Sequence, residues 1–304
     1  MDSYGLPYQG SKNKIAEFII SKLPRAEHFY DLFAGGCAIT HCALVSGKYN
    51  HIHANDIQVK YPQLFYDAAH GKYRNENRVI TRDEFFMFKD SDALVELCWS
   101  FGNGRTQYLW NRNIEEVKQA ACRMIMCDDM INRRLYFYEF IKKLKSIMCV
   151  DENDKLIRLK TLESLDRLQS LESLERLQSL QCLERIQGLD CLLEMHILEG
   201  LDISGKSYNE VEILPNSVVY CDPPYIGTGG YCIEFDHEQF YEWLRNTNFP
   251  VYISEYTMPS DFAIVASIDK IASFSATDKS TVKQENLYIH ERFFKSRKEQ
   301  LKLF

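Results

Sequence analysis

No stretch of about 18 consecutive apolar residues occurs in this 304-residue chain, so no transmembrane helix is expected. The opening Met1-Asp2-Ser3 lacks the basic and apolar regions of a signal peptide, which suits a cytoplasmic protein. The ten cysteines include no C-x-x-C pair. Zinc is therefore not expected, nor any other metal, and in a reducing compartment these residues are free thiols packed as small apolar groups. No G-x-G-x-x-G is present, so the full dinucleotide fingerprint is missing. Net positive charge is missing as well: 43 Asp and Glu against 36 Lys and Arg give −7. That balance argues mildly against a nucleic-acid partner, although binding depends on local patches rather than on the whole chain. Apolar content, 45%, is ordinary for a globular chain. The length allows one large domain, or one domain with an insertion.

The most informative feature present is Asp222-Pro223-Pro224-Tyr225, directly after the apolar run Ser217-Val218-Val219-Tyr220-Cys221. The run reads as a buried strand, which places the four residues in the loop at its C-terminal end. In open α/β sheets that edge is where ligands bind. An aromatic exocyclic amine is a poor nucleophile, because its lone pair is conjugated into the ring. Two acceptors, the Asp222 carboxylate and a backbone carbonyl in the Pro-Pro segment, can take both of its N–H hydrogens and localise the lone pair toward an electrophile. The two prolines fix the backbone that carries the carbonyl. Tyr225 offers a ring face for stacking. An ordinary strand-to-loop turn with a capping aspartate gives the same four residues.

A second pattern lies near the other end. His28-Phe29-Tyr30-Asp31-Leu32-Phe33 reads as a strand running into Ala34-Gly35-Gly36-Cys37 and then a helix. Glycines between strand and helix let a backbone approach a ligand closely. About 20 residues on, a second strand, Ile52-His53-Ala54-Asn55, ends at Asp56, an acid suited to a ribose hydroxyl pair. A plain turn and a surface aspartate account for each piece taken alone; together they suggest an adenosine-containing cofactor. At the N-terminus, Tyr8-Gln9-Gly10-Ser11-Lys12 precedes a helical pattern with Ile15, Phe18, Ile19 and Leu23 on one face and Pro24 at its end. Ser11 suits a helix cap. A lysine at a helix start opposes the dipole, so Lys12 is a candidate ligand contact, or simply a solvated lysine.

The order Tyr-x-Gly-Ser-Lys, Asp-x-Phe-x-Gly-Gly, Asn-Asp and Asp-Pro-Pro-Tyr resembles the DNA adenine methylase (Dam-like) family of adenine-specific DNA methyltransferases, especially its phage-type members. The resemblance covers the first and last thirds of the chain. It implies a doubly wound, mostly parallel α/β sheet of the seven-stranded methyltransferase type, S-adenosylmethionine as cofactor and double-stranded DNA as substrate. It places Tyr8 and Lys12 near the methionine part of the cofactor. Asp31, Phe33 and Gly35 stand in the loop that cradles the cofactor, Asp56 stands on its ribose, and Asp222 and Tyr225 stand where the target base is held. The family usually has Gly-x-Gly in the first loop. Cys37 departs from that pattern and is expected to crowd the loop if its φ is positive.

Between these thirds, residues 101–150 hold nine Lys and Arg against five Asp and Glu. Arg133, Arg134, Lys142, Lys143 and Lys145 cluster there among aromatics. Upstream, Arg105, Gln107 and Asn111 are residue types that read base edges. Arg105, Gln107, Arg133, Arg134 and Lys142 are the candidate DNA contacts, although a helix with an aromatic core face and a basic solvent face explains the cluster equally well. From about 159 to 198 a leucine-rich nine-residue unit repeats nearly three times with leucine or a substitute at every third position. That is not a heptad. It leans toward helix and suits an arm, a self-association contact or a tolerated expansion in a loop. The expected organisation is a catalytic domain over 1–75 and 205–304 with an inserted, largely helical target-recognition region over 76–204. Strands are expected near 28–33, 50–54, 217–221, 250–254, 268–274 and 286–291, closed by an antiparallel strand. Methylation of RNA, of cytosine amine or of a glutamine amide would use the same acceptor geometry, and a non-catalytic DNA-binding or assembly protein on a decayed methylase fold is the alternative of a different class.

Overall fold

The computed structural model describes residues 4–7, 10–102, 104–147, 182, 185–186, 189, 200–225, 235–271 and 282–294. The chain divides into two compact units, residues 1–70 with 192–304, and residues 71–191.

The first unit is built on β1 (His28–Asp31), β2 (His51–Asn55), β5 (Leu201–Ser204), β6 (Ser217–Cys221), β7 (Val251–Glu255), β8 (Phe262–Ile271) and β9 (Val282–His290). They form one seven-stranded sheet in the order β5-β2-β1-β6-β7-β9-β8. The first five are parallel, whereas β9 runs antiparallel between β7 and β8. The mostly parallel α/β sheet expected from the sequence is therefore present. Its parallel centre is buried as a near-continuous run: every residue of β7 is buried, and so are four of the five in β6. That is the pattern of strands covered on both faces. Packed on it, the helix His237–Asn246 is capped by the Asp236 side chain, which accepts from the Gln239 N–H at 2.9 Å. It buries Phe240, Tyr241 and Leu244 against Val219, Val251 and Ile253.

Strand β5 was not among the expected strands. Its alternation, Leu201-Asp202-Ile203-Ser204, lasts only four residues, and it is recruited by pairing with β2, Ile52 opposite Leu201. Strand β8 begins six residues earlier than expected, at Phe262, and is bent by a bulge between Ile264 and Ala266. At the N-terminus a 3-10 turn (Asn13–Ile15) leads into α1 (Ala16–Lys22), which buries Ala16, Ile19 and Ile20. The expected Ser11 cap is not formed: Lys12 and Ile15 hold the cap positions of the turn and of α1 without side-chain hydrogen bonds, and the Ser11 hydroxyl only accepts from the Asn13 N–H at 3.3 Å. Helices α2 (Ala38–Ser46) and α3 (Lys60–Ala69) follow β1 and β2.

The order of strands decides where a ligand fits. After β1 the chain moves to one side, to β2, while β6 pairs on the other. Such a reversal leaves a crevice at the C-terminal ends of the central strands. Asp31 ends β1, opposite Tyr220 of β6, and Asp222 and Asp56 come just past the ends of β6 and β2.

The second unit contains α4 (Arg82–Phe88), α5 (Ala93–Trp99), a short hairpin of β3 (Ser100–Phe101) and β4 (Gln107–Tyr108), α6 (Glu115–Met126) and α7 (Met130–Ile147). Thr81 and Glu84 close a capping box on α4, and Asp92 caps α5. Val117 and Ala120 of α6 pack on Phe140 of α7. Of the leucine repeat, Cys182, Arg185, Ile186 and Leu189 are described and helical; the rest lies outside the described residues. Ile186 and Leu189 are buried, and Arg185 donates to the carbonyls of Leu97 and Ser100 at 2.8 and 2.9 Å.

Candidate active site

A cavity of about 300 Å³ lies in the first unit at the C-terminal ends of β1, β2 and β6. Its walls include Lys12, Asp31, Phe33, Gly35, Asp56, Asp222 and Pro224, which the sequence separates by more than two hundred positions. Tyr8 lies outside the described residues.

The floor is the loop after β1. The Gly35 N–H donates to Asp56 Oδ2 at 2.8 Å, and the Gln58 N–H donates to Oδ1 at 2.8 Å. Burial raises the Asp56 carboxyl above its usual range while these two amides pull it down. Each oxygen keeps a lone pair for a further donor. Asn55 pins the surroundings: its amide donates to the carbonyls of Leu32 and Lys206, and its oxygen accepts from Ser204 and the Lys206 N–H. The crowding expected from Cys37 does not reach the cavity. Its φ is indeed +60°, but the thiol is fully buried and Cys37 is absent from the cavity wall. The segment Tyr4–Pro7 braces the loop from outside. The Leu6 N–H donates to Gly36 O at 2.7 Å, and a Cβ on Gly5, whose φ is +70°, would stand 2.4 Å from that oxygen. Only glycine fits there. Nothing in the sequence pattern marked Gly5.

Asp31 is 1% exposed. Its Oδ2 accepts from the Thr40 hydroxyl at 2.7 Å, while its Oδ1 is buried with no hydrogen-bond partner among the described residues. Burial raises its carboxyl to about 7, with Asp222 and Asp56 adding to the rise and Thr40 opposing it. An orphan acceptor on a cavity wall is a cost that a ligand donor removes. Phe33 stacks on Tyr208 with ring centroids 5.6 Å apart and meets Phe235 edge-on, which gives one side of the cavity an aromatic wall. Tyr208, Phe235, Asp236 and Gln239 line the cavity without having been singled out from the sequence.

The loop after β6 carries the most concentrated chemistry. Lys12 is 5% exposed, and its Nζ lies 2.9 Å from Asp222 Oδ1 and 3.0 Å from Glu285 Oε1. Burial would lower the lysine, but the two carboxylates outweigh it and raise it above its ordinary value. For Asp222, burial raises the carboxyl, Lys12 pulls it back and Glu285 pushes it further up. The Tyr225 hydroxyl donates to Glu285 Oε1, the Lys12 ammonium stands 4.4 Å from the centroid of the Tyr225 ring, and Tyr256 meets that ring edge-on at 4.8 Å. Pro223 is buried and Pro224 half-buried on the cavity wall. Glu285, a buried acid in β9, is the member of this cluster that the sequence did not announce.

Residues 8–155 match the family model described as D12 class N6 adenine-specific DNA methyltransferase. The match spans just under half of the chain and marks that stretch as a domain of this family of adenine-specific DNA methyltransferases. The matched span includes Lys12, Asp31, Phe33, Gly35 and Asp56, and it stops short of Asp222 and Glu285. No curated protein matches the chain. As an adenine-specific DNA methyltransferase, the enzyme needs a DNA-facing surface besides the cavity. Among the candidates in its second unit, Arg134 and Lys142 are exposed on α7, and Gln107 is exposed on β4 next to Phe101, itself 62% exposed. Arg105 is half-buried with φ +51°. Arg133 is half-buried, and its Nε donates to Cys127 O at 2.8 Å, so it anchors the start of α7. Among the described residues, no group of three or more His, Cys, Asp or Glu is placed to hold a metal, and no helix is long and apolar enough to cross a membrane.

Proposed function

We propose that the methyltransferase takes its methyl group from S-adenosylmethionine held in this cavity, and acts on an adenine turned out of duplex DNA at a specific site. The cavity walls fit such a cofactor. Asp56 has free lone pairs for a ribose hydroxyl pair, and the backbone of the Gly35-Gly36 loop allows close approach. The orphan Asp31 Oδ1 suits an ammonium donor. Beside Lys12, the carboxylates of Asp222 and Glu285 outnumber the single ammonium, and Asp31 adds a further acid on the cavity wall, a balance that favours a cationic ligand. When bound, S-adenosylmethionine supplies an electrophilic methyl group on a positively charged sulfur.

The chain's own residues do the rest. Asp222 and a carbonyl of the Pro223-Pro224 segment accept both hydrogens of the adenine amine and direct its lone pair toward the cavity. Lys12 holds the Asp222 carboxylate in place and favours its ionised form against the burial that raises it. Tyr225 offers its ring to the base, which must leave the stack for its amine to be reached. Fixed placement of the amine supplies much of the rate. After transfer, the surplus proton on the amine passes to the Asp222 carboxylate, whose side chain is 18% exposed, and on to water. The inserted region over 76–204 supplies target recognition, with Arg105, Gln107, Arg134 and Lys142 facing DNA.

The observation that carries this reading is the buried Lys12–Asp222 pair on the wall of an acid-lined cavity. Sequencing of modified bases in DNA from cells expressing the chain tests it. N6-methyladenine at a defined site is expected with the native chain and not with Asp222→Ala. Methylation at cytosine, or an active Asp222→Ala enzyme, refutes it.

A further inference from the structure

Glu285 is 2% exposed in the interior of β9, opposite Ile268 of β8. A carboxylate there is expensive unless it is paired, and an apolar residue would serve the strand as well. Its contacts are those of the active site rather than of the sheet. One oxygen, Oε1, lies 3.0 Å from Lys12 Nζ and accepts from the Tyr225 hydroxyl. Lys12 in turn bridges to Asp222 and stands over the Tyr225 ring. Glu285, Lys12 and Tyr225 thus close a loop with Asp222 tied to it through Lys12, so Glu285 links the residue proposed to hold the amine to the residue proposed to stack on the base. A tyrosine ring has two torsions. With its hydroxyl tied to Glu285 and the Tyr256 ring packed perpendicular to it, both are set before DNA arrives.

We propose that Glu285 is a positioning residue for methyl transfer: it sets the Lys12 ammonium against Asp222 and fixes the plane of the Tyr225 ring. This rests on the assignment of Asp222 as acceptor of the target amine. Two consequences separate positioning from mere support of the sheet. Glu285 carries a negative charge close to Asp222, so it opposes the ionisation that Asp222 needs. The other groups facing Asp222 are Lys12, Asp31, Tyr220, Cys221 and Tyr225. Replacing Glu285 by glutamine keeps an acceptor for Lys12 and Tyr225 but removes the charge, so Asp222 ionises at lower pH. Replacing it by alanine removes both anchors.

The test uses the full chain and duplex DNA carrying its own methylation site. In Glu285→Gln, the acidic limb of the kcat/KM profile is expected to move to lower pH, with turnover at pH 8 within about tenfold of native. In Glu285→Ala, kcat is expected to fall about 10²-fold, the loss typical of a reacting group misplaced by about 1 Å, with the KM for cofactor little changed. Acetic anhydride labelling of the cofactor-free protein, read by mass spectrometry, gives an independent measure: Lys12 modification should rise several-fold in Glu285→Ala. Native turnover in Glu285→Ala, or an acidic limb unmoved in Glu285→Gln, overturns the proposal. Should the alanine variant fail to fold, the glutamine profile decides alone. An active Asp222→Ala enzyme would instead refute the acceptor assignment, whatever the Glu285 variants do.

Discussion

Lys12 and the basic face of α7 put the same kind of charge to opposite uses. Lys12 is buried, and it is held by two carboxylates within 3.0 Å. Arg134 and Lys142 stand in solvent. A buried ammonium survives only if its partners are placed for it, so its position is a statement about geometry. An exposed one costs nothing to hold and contributes through its field, which salt weakens. The first arrangement suits chemistry at one atom. The second suits a long anionic partner that must be gripped without being reacted with. If that contrast is right, disrupting the buried cluster should abolish turnover, and disrupting the exposed face should only weaken attachment.

The largest expected effect is at Asp222. Asp222→Ala removes the amine acceptor and leaves Lys12 with Glu285 alone. Turnover of adenine in DNA should fall by at least about 10³-fold, the scale seen when an electrostatic contact to the reacting atoms is removed. Far-UV circular dichroism should stay native, because the loop follows β6 rather than forming part of it. A loss of fold would place Asp222 among the structural residues and erase the contrast with α7.

How much of this was legible beforehand depended on how local each signal was. The strand at Ser217–Cys221, the loop after His28–Asp31 and the acid at Asp56 are short contiguous patterns, and the structure brings all three to one cavity. The dipole argument singled out Lys12 without revealing its burial. Glu285 was illegible because Lys283-Gln284-Glu285 is a polar run just ahead of the strand expected at 286–291; only pairing in three dimensions carries it inward, to 2% exposure. Cys37 was read as an obstruction. The loop tolerates a positive φ there, a strain of about 1–2 kcal/mol, because the thiol is buried away from the cavity.

A middle-sized effect is expected at Asp56, which tests whether the cavity's acids divide their work. Asp56→Ala removes the acceptor of two backbone amides and of the proposed ribose hydroxyls. Affinity for S-adenosylmethionine should drop about 10²-fold, in line with one or two hydrogen bonds to a charged group. At saturating cofactor, kcat should hold within about threefold, because the lost contact serves ground state and transition state alike. Isothermal titration calorimetry and steady-state kinetics check the two halves. A large fall in kcat with unchanged affinity would move Asp56 into the chemistry.

Asp31 gives a smaller, pH-dependent effect. Burial raises its carboxyl from 3.8 to about 7 in the folded chain. A group whose pKa rises on folding contributes stability that is fully present below about pH 4 and is lost as pH climbs toward 7. Over that window the cofactor-free Asp31→Asn variant should therefore lose less stability than the native chain, as measured by Tm. A cationic ligand favours the ionised form, so cofactor affinity in the native chain should weaken by up to about tenfold for each pH unit below 7. The asparagine variant should show a flatter dependence. Parallel profiles in the two proteins would mean that Asp31 faces no cation.

The smallest effect is expected on α7. Arg134→Ala with Lys142→Ala should weaken DNA binding across sequences without altering kcat at saturating DNA. If both side chains contact phosphate, the slope of log K against log salt should become shallower by about 2, close to one for each released counterion. Arg133→Ala is the informative neighbour. Its guanidinium is committed to Cys127 O, so its loss should appear mainly as reduced thermal stability, with the salt slope nearly unchanged. Fluorescence anisotropy between 50 and 200 mM salt, about the range over which such contacts change affinity most, separates the two. A double variant that kept the native slope would take α7 off the DNA. A double variant that lost turnover at saturating DNA would show that exposed cations can also act on the reacting atom, and the distinction from Lys12 would not hold.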